Sequence, residues 1–491
     1  MKKTQVIVAS MLLAVATLAS AQSNSPLPKS PISTGVLMSR AVRAGTVHLG
    51  GSVRGPEIAP PLNCTPAPCA LANQNVSMSS VLANETPVVV NPKNPQQILT
   101  GANDYSCANV QGFYASSDGG TTWARTCMNS LAGDFGEGDP GVAYDLNGTA
   151  YITGIDATHG IVMETSTNNG TTWGAVKKVV GPFFSGGLTD KPWMEIDTNA
   201  TSPHANAIYI SVTQFDASQT NIVPTVSHSN DGGKTWVTKA VDTTQIFPNV
   251  DQFTDLAVGA DGTVYVSWMR CNANGPTGDC GGTTAQLYWS KSTDGGNTWS
   301  TAALVTNVTL SPDPAACCFY GALPNTDERM SDIPVIAIDN SSGVHKGNLY
   351  VTYYTWTGTQ MKVFVAVSTN GGATWNQKPV APATATKDQF FPWVNVNQNG
   401  AVGVSWMDRR DDSANINYEA FSAISQNGGT SYGTNLKLSA AASDPFNDGF
   451  GGFFIGDYTG NAWANNNRLY VVYTDTTTGI DQEFLTGERG H

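Results

Sequence analysis

Acidic residues recur at one place in a pattern that repeats along the chain. Each stands just before a short apolar stretch, and one of them, Asp190, is followed directly by Lys191. The full set is Glu85, Asp139, Asp190, Asp251, Asp332, Asp388 and Asp457. Carboxylates gathered around one axis could bind a cation, supply an acid/base pair, or accept hydrogen bonds from sugar hydroxyls. The competing interpretation is that each acid only caps the turn in which it stands.

A second group of polar and aromatic residues lies in the predicted loops between the second and third strands of the same repeats. It contains Asp156, Asp216, Arg270, Trp356, Asp408, Arg409, Arg410 and Asp475. Arg409 and Arg410 have aspartates on both sides and could equally form a surface ion-pair cluster. Trp193 and Trp393 could present aromatic faces to a sugar or pack in the core.

The sequence predicts no cofactor. Its six histidines show no metal-ligand spacing, and neither a GxSxG motif nor a Walker-type loop occurs. Whether the carboxylates hold a structural calcium ion stays open at this point.

Six copies of one turn motif indicate the fold. The motif reads Ser-x-Asp/Asn-x-Gly-x-Thr/Ser-Trp/Tyr, and its copies begin at Ser116, Ser166, Ser229, Ser292, Ser368 and Ser425. The Asp or Asn side chain can cap the turn through backbone N–H groups, and glycine supplies the positive φ of a tight hairpin. The final aromatic residue can pack between neighbouring sheets. The motif therefore predicts a structural role.

Short alternating strands surround each motif, which predicts an all-β protein. Four strands in a unit of roughly 50 to 75 residues are typical of a propeller blade. Counting the units gives seven four-stranded blades, with six as the alternative if the terminal unit is miscounted. The last unit, from Phe453 to Phe484, lacks the motif and one strand. We predict that an N-terminal strand over Val76–Val81 completes it and closes the ring.

The N-terminus has the features of a secretory signal over residues 1–21. Two lysines precede an apolar run over 6–18 and a small-residue site that predicts cleavage after Ala21. No later stretch is long enough to predict a membrane span. We therefore expect an exported protein, extracellular or periplasmic. Residues 22–72 form a Pro-rich linker or a strap over the ring, and 73–491 form the propeller.

Composition supports export and narrows the range of partners. Only 13% of residues are charged and the net charge is -13, which argues against nucleic acid or an anionic membrane as a partner. We expect a monomer. The even number of cysteines predicts disulfides. Sequence proximity favours Cys107 with Cys127, Cys271 with Cys280, and Cys64 with Cys69, whereas Cys317 and Cys318 either join each other or have other partners.

The repeated turns resemble the Asp-box repeats of the sialidase superfamily, also called BNR-repeat proteins. The resemblance covers nearly the whole mature chain and implies a propeller related to glycan-acting enzymes. Sialidases hold a substrate carboxylate with three arginines, use a Tyr–Glu pair as nucleophile and an Asp as acid/base. The first arginine would be expected near residues 84–90, which contain none. This departure counts against standard sialidase chemistry.

The leading hypothesis is a secreted sialidase-like propeller that acts on glycans, with exo-glycosidase activity as its most specific form. The catalytic candidates are Asp190, Asp332, Asp388 and Tyr458, the last by its position at the start of the final unit. The predicted substrate-binding residues are Lys191, Trp193, Arg270, Arg329, Trp356, Asp408 and Arg409. The alternatives are a non-catalytic carbohydrate-binding propeller and a protein-interaction platform. The sequence alone leaves catalysis open.

Overall fold

The structure, a computed structural model, describes residues 27–50, 64–275, 278–314, 317–464 and 467–490. The predicted signal sequence lies outside these residues. The first elements are helix α1 (Thr34–Arg43) and two short strands, β1 (Cys69–Ala70) and β2 (Gln74–Asn75). Across the described ranges, no helix has the length and apolar character that crossing a bilayer requires.

The strands that follow form seven antiparallel sheets, each one blade of a propeller. Blade 1 contains β3 (Ala83–Asn84), β4 (Val88–Val90), β5 (Ile98–Asp104), β6 (Gly112–Ser116) and β7 (Ala124–Cys127). Blade 2 contains β8 (Gly141–Tyr144), β9 (Ala150–Asp156), β10 (Gly160–Ser166) and β11 (Lys177–Val180). Blade 3 contains β12 (Leu188–Ile196), β13 (Ile208–Phe215), β14 (Asn221–Ser229), β15 (Val237–Ala240) and β16 (Gln245–Ile246).

The second half of the ring repeats the same order. Blade 4 contains β17 (Asn249–Val258), β18 (Val264–Asn272), β19 (Thr284–Ser292) and β20 (Ala303–Thr309). Blade 5 contains β21 (Val335–Ile338), β22 (Leu349–Trp356), β23 (Met361–Ser368) and β24 (Asn376–Pro379). Blade 6 contains β25 (Gln389–Val396), β26 (Val402–Asp408), β27 (Glu419–Ser425) and β28 (Leu436–Lys437), and a short 3-10 helix (Pro445–Asn447) follows. Blade 7 contains β29 (Gly460–Ala464), β30 (Arg468–Asp475) and β31 (Gln482–Arg489). The predicted count of seven blades is confirmed.

Both ends of the chain build blade 7. β1 and β2 pair antiparallel with β31, which places Cys69 opposite Arg489 and Gln74 opposite Leu485. The predicted closure by an N-terminal strand is therefore confirmed, but the strand lies at residues 69–75 and not at Val76–Val81. The alternation beyond Val76 is broken at Met78, whose φ of 38° turns the chain away from an extended course.

The six repeated turns lie between the third and fourth strands of blades 1 to 6 and share one set of hydrogen bonds. In the turn of blade 1, the Ser116 hydroxyl donates to the Asp118 carboxylate at 2.8 Å and accepts from the Gly120 N–H at 2.8 Å. The Thr122 N–H donates to the same carboxylate at 2.9 Å. These bonds satisfy backbone donors that a tight hairpin leaves without partners.

The second glycine of a turn is packed against the neighbouring blade, and this gives a stability prediction. Gly371 and Gly372 both have positive φ, but a Cβ on Gly372 would overlap the indole of Trp289 whereas one on Gly371 meets open space. We expect Gly372→Ala to lower the free energy of unfolding by about 2–5 kcal/mol, because overpacking adds to backbone strain. Gly371→Ala should lose only about 1 kcal/mol, from strain alone. Urea unfolding of both variants checks this, and equal losses would contradict the packing.

Antiparallel pairing gives the ring two different faces. The inner strands begin on one of them, which carries the acids predicted to gather and is called the acid face here. The repeated turns lie on the opposite face, called the turn face. Buried apolar side chains from adjacent blades interleave between the two faces and form the core.

All eight cysteines are paired. The disulfides join Cys64 to Cys69, Cys107 to Cys127, Cys271 to Cys280 and Cys317 to Cys318. Four disulfides fit a protein that matures in an oxidising, extracellular compartment.

Candidate active site

The acid face is shaped by a left-handed residue at the start of five inner strands. Glu85, Asp139, Lys191, Phe253 and Phe391 have φ values of 59°, 53°, 50°, 63° and 47°, a conformation that side chains other than glycine rarely adopt. In blade 3 the pairing of β12 with β13 skips from Asp190 to Trp193, so the chain bulges at Lys191, and β17 and β25 bulge in the same way. The conformation is therefore a recurrent feature of the ring, and in blades 1 to 3 the residue that adopts it is charged.

A buried ion cluster lies at the acid face, with Lys191 at its centre. The Lys191 ammonium contacts Glu85 at 2.8 Å, Asp139 at 3.0 Å and Asp457 at 2.8 Å. All four side chains are at most 4% exposed. Asn103 donates to the second Glu85 oxygen at 2.8 Å, and its own oxygen accepts from the Asp139 N–H. Three acids thus share one cation away from water.

The cluster holds its carboxyl groups in different protonation states. Burial raises the pKa of Glu85 well above its ordinary value; the Lys191 ammonium opposes this rise, and the negative charge of Asp139 adds to it. Burial also opposes ionisation of Asp139, but the Lys191 ammonium and hydrogen bonds from Glu85 and Lys191 lower its pKa overall. Burial disfavours the Lys191 ammonium, yet the surrounding carboxylates raise its pKa well above the ordinary value. Glu85 therefore keeps its proton while Asp139 is ionised.

Asp190 adjoins the cluster and contacts the backbone of Lys191. The Lys191 N–H lies between Asp190 and Asp139, 3.0 Å from one carboxylate and 3.2 Å from the other. The Gln252 side chain donates to Asp190 at 2.6 Å. Burial, then the negative charge of Asp139, raises the pKa of Asp190 to about 7.

Tyr458 and two tryptophans lie next to this cluster. The Lys191 ammonium is 5.0 Å from the centre of the Tyr458 ring. The Trp193 and Trp393 ring centres are 4.5 Å apart, and Trp193 meets the Tyr458 ring edge-on at 5.7 Å. Burial raises the pKa of Tyr458 well above its ordinary value, so its hydroxyl stays protonated. The aromatic group is packed within the ring, beside the acids.

Residues 27–50, called the strap, lie across the acid face and cover the cluster. The Ser33 hydroxyl and N–H each donate to Asp190 at 2.6 Å. Gly35 lies against the acids: a Cβ on it would be 2.7 Å from Glu85 and 2.8 Å from Asp139. Further along α1, Arg40 makes a bidentate ion pair with Glu137, at 2.6 and 2.8 Å. The strap therefore contacts the acids directly and separates them from solvent on this side.

Two of the predicted catalytic acids lie apart from the cluster. Asp332 is buried beside Tyr354 in blade 5, and burial raises its pKa well above the ordinary value. Asp388 of blade 6 accepts hydrogen bonds from Met361 N–H and Asn415, and Arg409 approaches it at 3.5 Å. Asp388 thus joins blade 6 to blade 5 through Met361, and none of these contacts reaches Lys191.

The predicted arginines have separate partners. Arg270 makes two hydrogen bonds to Asp251, at 2.6 and 2.7 Å, and a third to Asp242. Arg329 donates to the carbonyl of Leu27 in the strap, at 3.3 Å. Arg409 is fully buried and donates to the Pro324 carbonyl at 2.6 Å. The described contacts show no anion site shared by the three arginines, and their assignment to substrate binding stays a prediction.

The remaining predicted binding residues lie at the outer ends of strands. Asp408 is fully buried and accepts from Trp406 at 2.8 Å and from Arg410 at 2.5 Å. Trp356 is half-buried at the end of β22, opposite Met361. Their assignment to a substrate stays a prediction.

The axial channel behind the cluster opens into a cavity of about 260 Å³ lined by inner strands. Two acids line it, Glu195 and Asp255, and each has a pKa raised to about 8, chiefly by burial. Asp255 accepts from the Ile336 N–H at 2.7 Å. The cavity is therefore lined by carboxyl groups that stay protonated near neutral pH.

These channel acids make stability depend on pH. Because their folded-state pKa values exceed unfolded values of about 4, the folded protein binds more protons between about pH 4 and 8, and stability falls as pH rises through that window. We expect Asp255→Asn to remove part of this fall, on the order of 2 kcal/mol between pH 5 and 8. Asp216→Asn is the control, since the hydrogen bonds that this partly exposed carboxylate accepts from Asn221 and its neighbours lower its pKa to about 2. Urea unfolding at both pH values checks the slopes, and identical slopes in wild type and Asp255→Asn would refute the assignment.

Two groups within the described chain place metal-ligand types close together. In one, Asp134, Asp156 and His159, the Asp134 carboxylate already accepts from the His159 ring at 2.6 Å and from its N–H at 3.0 Å. In the other, Asp313, Cys317 and Cys318, the sulfur atoms form a disulfide. Neither lies in the ion cluster.

Four residues of the site are not among the predicted catalytic or substrate-binding residues: Ser33, and Glu85, Asp139 and Asp457 of the recurring acidic set. The three acids share with Asp190 the position before an inner strand, which is the signal that could have selected them. Ser33 carries no comparable signal, because only the docking of the strap brings it to Asp190.

Comparisons with known proteins concern the fold. No family model and no curated protein matches the chain. Matching solved structures include a Hadza microbial sialidase, with 12% identity over 81% of this chain and 75% of that chain, at a TM-score of 0.45. An α-L-arabinofuranosidase from Fusarium graminearum matches with 13% identity over 71% and 92%, at 0.42. An ulvan lyase matches with 11% identity over 83% and 95%, at 0.49.

Proposed function

We propose that this protein is an exported, glycan-acting enzyme that cleaves glycosidic bonds by acid/base chemistry at the acid face. The observation that carries the proposal is the pair Asp190 and Asp139. One backbone N–H lies between their carboxylates, their charges interact, and their pKa values move in opposite directions. A protonated and an ionised carboxyl group at one site are what glycoside hydrolysis requires.

Each residue then has a distinct role. Asp190, whose pKa burial raises to about 7 in the covered site, donates a proton to the leaving oxygen once a ligand covers the site in place of the strap, because a general acid works best when its pKa lies near the working pH. Asp139 is the ionised carboxylate that faces the developing positive charge or activates water. Lys191 and Glu85 are positioning residues, since the ammonium keeps Asp139 ionised and Glu85 hydrogen-bonds to it. In the wild-type protein, Asp190 and Asp139 become accessible to a substrate only when a ligand displaces the strap, residues 27–50.

A panel of aryl glycosides, sialosides included, tests the proposal with the purified chain. We expect release of the aryl group from one class of glycoside and loss of that release in Asp190→Asn. If neither the wild-type protein nor variants with a displaced strap released the aryl group from any glycoside of the panel, catalysis would be contradicted. Binding on a glycan array without turnover would instead favour the carbohydrate-binding alternative.

A further inference from the structure

We propose that the strap is an intramolecular inhibitor: residues 27–50 occupy the place of the ligand, and the site works only when they are displaced. This regulation rests on the proposed function for its effect on catalysis, whereas occupation of the site can be tested separately.

The strap makes the polar contacts that a bound ligand would make. Its Ser33 hydroxyl donates to Asp190, as a sugar hydroxyl would. Its Pro31 carbonyl accepts from the Tyr320 hydroxyl at 2.6 Å and from Gln252 at 3.1 Å. Gln252 also donates to Asp190, so the donor and acceptor positions belong to one network. A ligand that offers one hydroxyl and one acceptor oxygen can take both positions.

The strap also leaves no room for a second occupant. Gly35 packs directly on Glu85 and Asp139, and any side chain there would meet their carboxyl oxygens within 2.8 Å. The N-terminal end of α1, which carries partial positive charge, faces this acidic group. A substrate and the strap therefore cannot occupy the acid face together.

Two kinds of contact hold the strap in place. Ile32, Val36 and Met38 are at most 3% exposed and pack with apolar residues of the ring, Phe454 among them. Farther from the acids, the Arg40–Glu137 ion pair joins α1 to blade 2 and is partly exposed to solvent. Residues 43–46, just beyond this pair, are exposed. The strap can thus be weakened at its outer end without touching Asp190 or Asp139.

The test uses the full chain and three variants. Gly35→Leu forces bulk against the acids, and Arg40→Glu replaces the ion pair with like charges while leaving the cluster intact. Ala44→Leu adds bulk to the exposed end of the same segment and is the matched control. Hydrogen–deuterium exchange of residues 33–41 reports displacement of the strap. A synthetic peptide of residues 28–44 reports whether the emptied site takes the segment back.

We expect exchange of residues 33–41 and hydrolysis of the aryl glycoside to rise about tenfold in Gly35→Leu and Arg40→Glu, with no change in Ala44→Leu. The peptide should bind Gly35→Leu and inhibit it, and a Ser33→Ala peptide should bind more weakly. Faster exchange without faster hydrolysis, in a chain that does hydrolyse a glycoside, would overturn inhibition. If no variant hydrolyses any glycoside, the proposed function fails. Peptide binding then still supports occupation of a ligand site, and failure to bind overturns it.

Discussion

Replacing Lys191 with methionine should destabilise the protein by about 3–5 kcal/mol at pH 7, because it leaves buried carboxylates without their cation. The ammonium lies within 3.0 Å of three acids and is 4% exposed, so no water can take its place. The loss should shrink as pH falls, since the carboxylates of the variant become protonated and neutral. Urea unfolding at pH 5 and 7 measures both effects.

Lys437→Met provides the control for this substitution. Lys437 also has two acidic neighbours, Asp411 at 3.0 Å and Glu419 at 3.1 Å, but its side chain is 46% exposed. Exposed ion pairs contribute at most about 1 kcal/mol, so this variant should be nearly as stable as wild type. If the two variants lost equal stability, burial of the Lys191 cluster would not be what makes it important.

Asp190→Asn should lower kcat/KM by about 10²- to 10⁴-fold, the usual contribution of a general acid. Because an acid must hold its proton to act, wild-type kcat/KM should fall as pH rises above the Asp190 pKa of about 7. The variant should lose this alkaline fall together with the rate. The pH–rate profile is best measured in wild type and in the Arg40→Glu background, so that the strap does not mask the effect.

Glu488→Gln is the matched control for Asp190→Asn. Glu488 is buried, its pKa is raised to about 7, chiefly by burial, and it accepts from the Ser422 hydroxyl at 2.7 Å. It therefore resembles Asp190 in environment, but lies in β31, outside the site. Normal rates in Glu488→Gln with an unchanged alkaline limb would assign the limb to Asp190. Persistence of that limb in Asp190→Asn would rule out Asp190 as the acid.

The repeats made most of the fold predictable because their signals are local. Serine, Asp/Asn and glycine at set spacings determine each turn through bonds within eight residues, and alternation determines the strands between them. The closing strand was harder to place. The segments before and after Val76 both alternate, and the choice between them depends on pairing with β31, more than 400 residues away in the chain.

The site was predictable only in part, because the sequence does not show which blades contribute side chains to one cluster. The predicted catalytic acids Asp190, Asp332 and Asp388 belong to blades 3, 5 and 6. In a ring, side chains from consecutive blades are the ones that meet, and blade 4 separates blade 3 from blade 5. The cluster accordingly joins blades 7, 1, 2 and 3, through Asp457, Glu85, Asp139 and Lys191. The left-handed bulge that turns Lys191 inward has no clear sequence signal, since lysine seldom adopts it. The strap packs on the ring through tertiary contacts that no local sequence pattern predicts.

The shared last blade also sets the order of events during folding. Residues 69–75 are synthesised long before their partner strand β31, which follows them by more than 400 residues. Until then the ring stays open, and blades 1 and 7 each lack a neighbour across the gap. Completion of the propeller ring is therefore a late folding step with a large loop-closure entropy, because the strands that it joins are more than 400 residues apart in the chain.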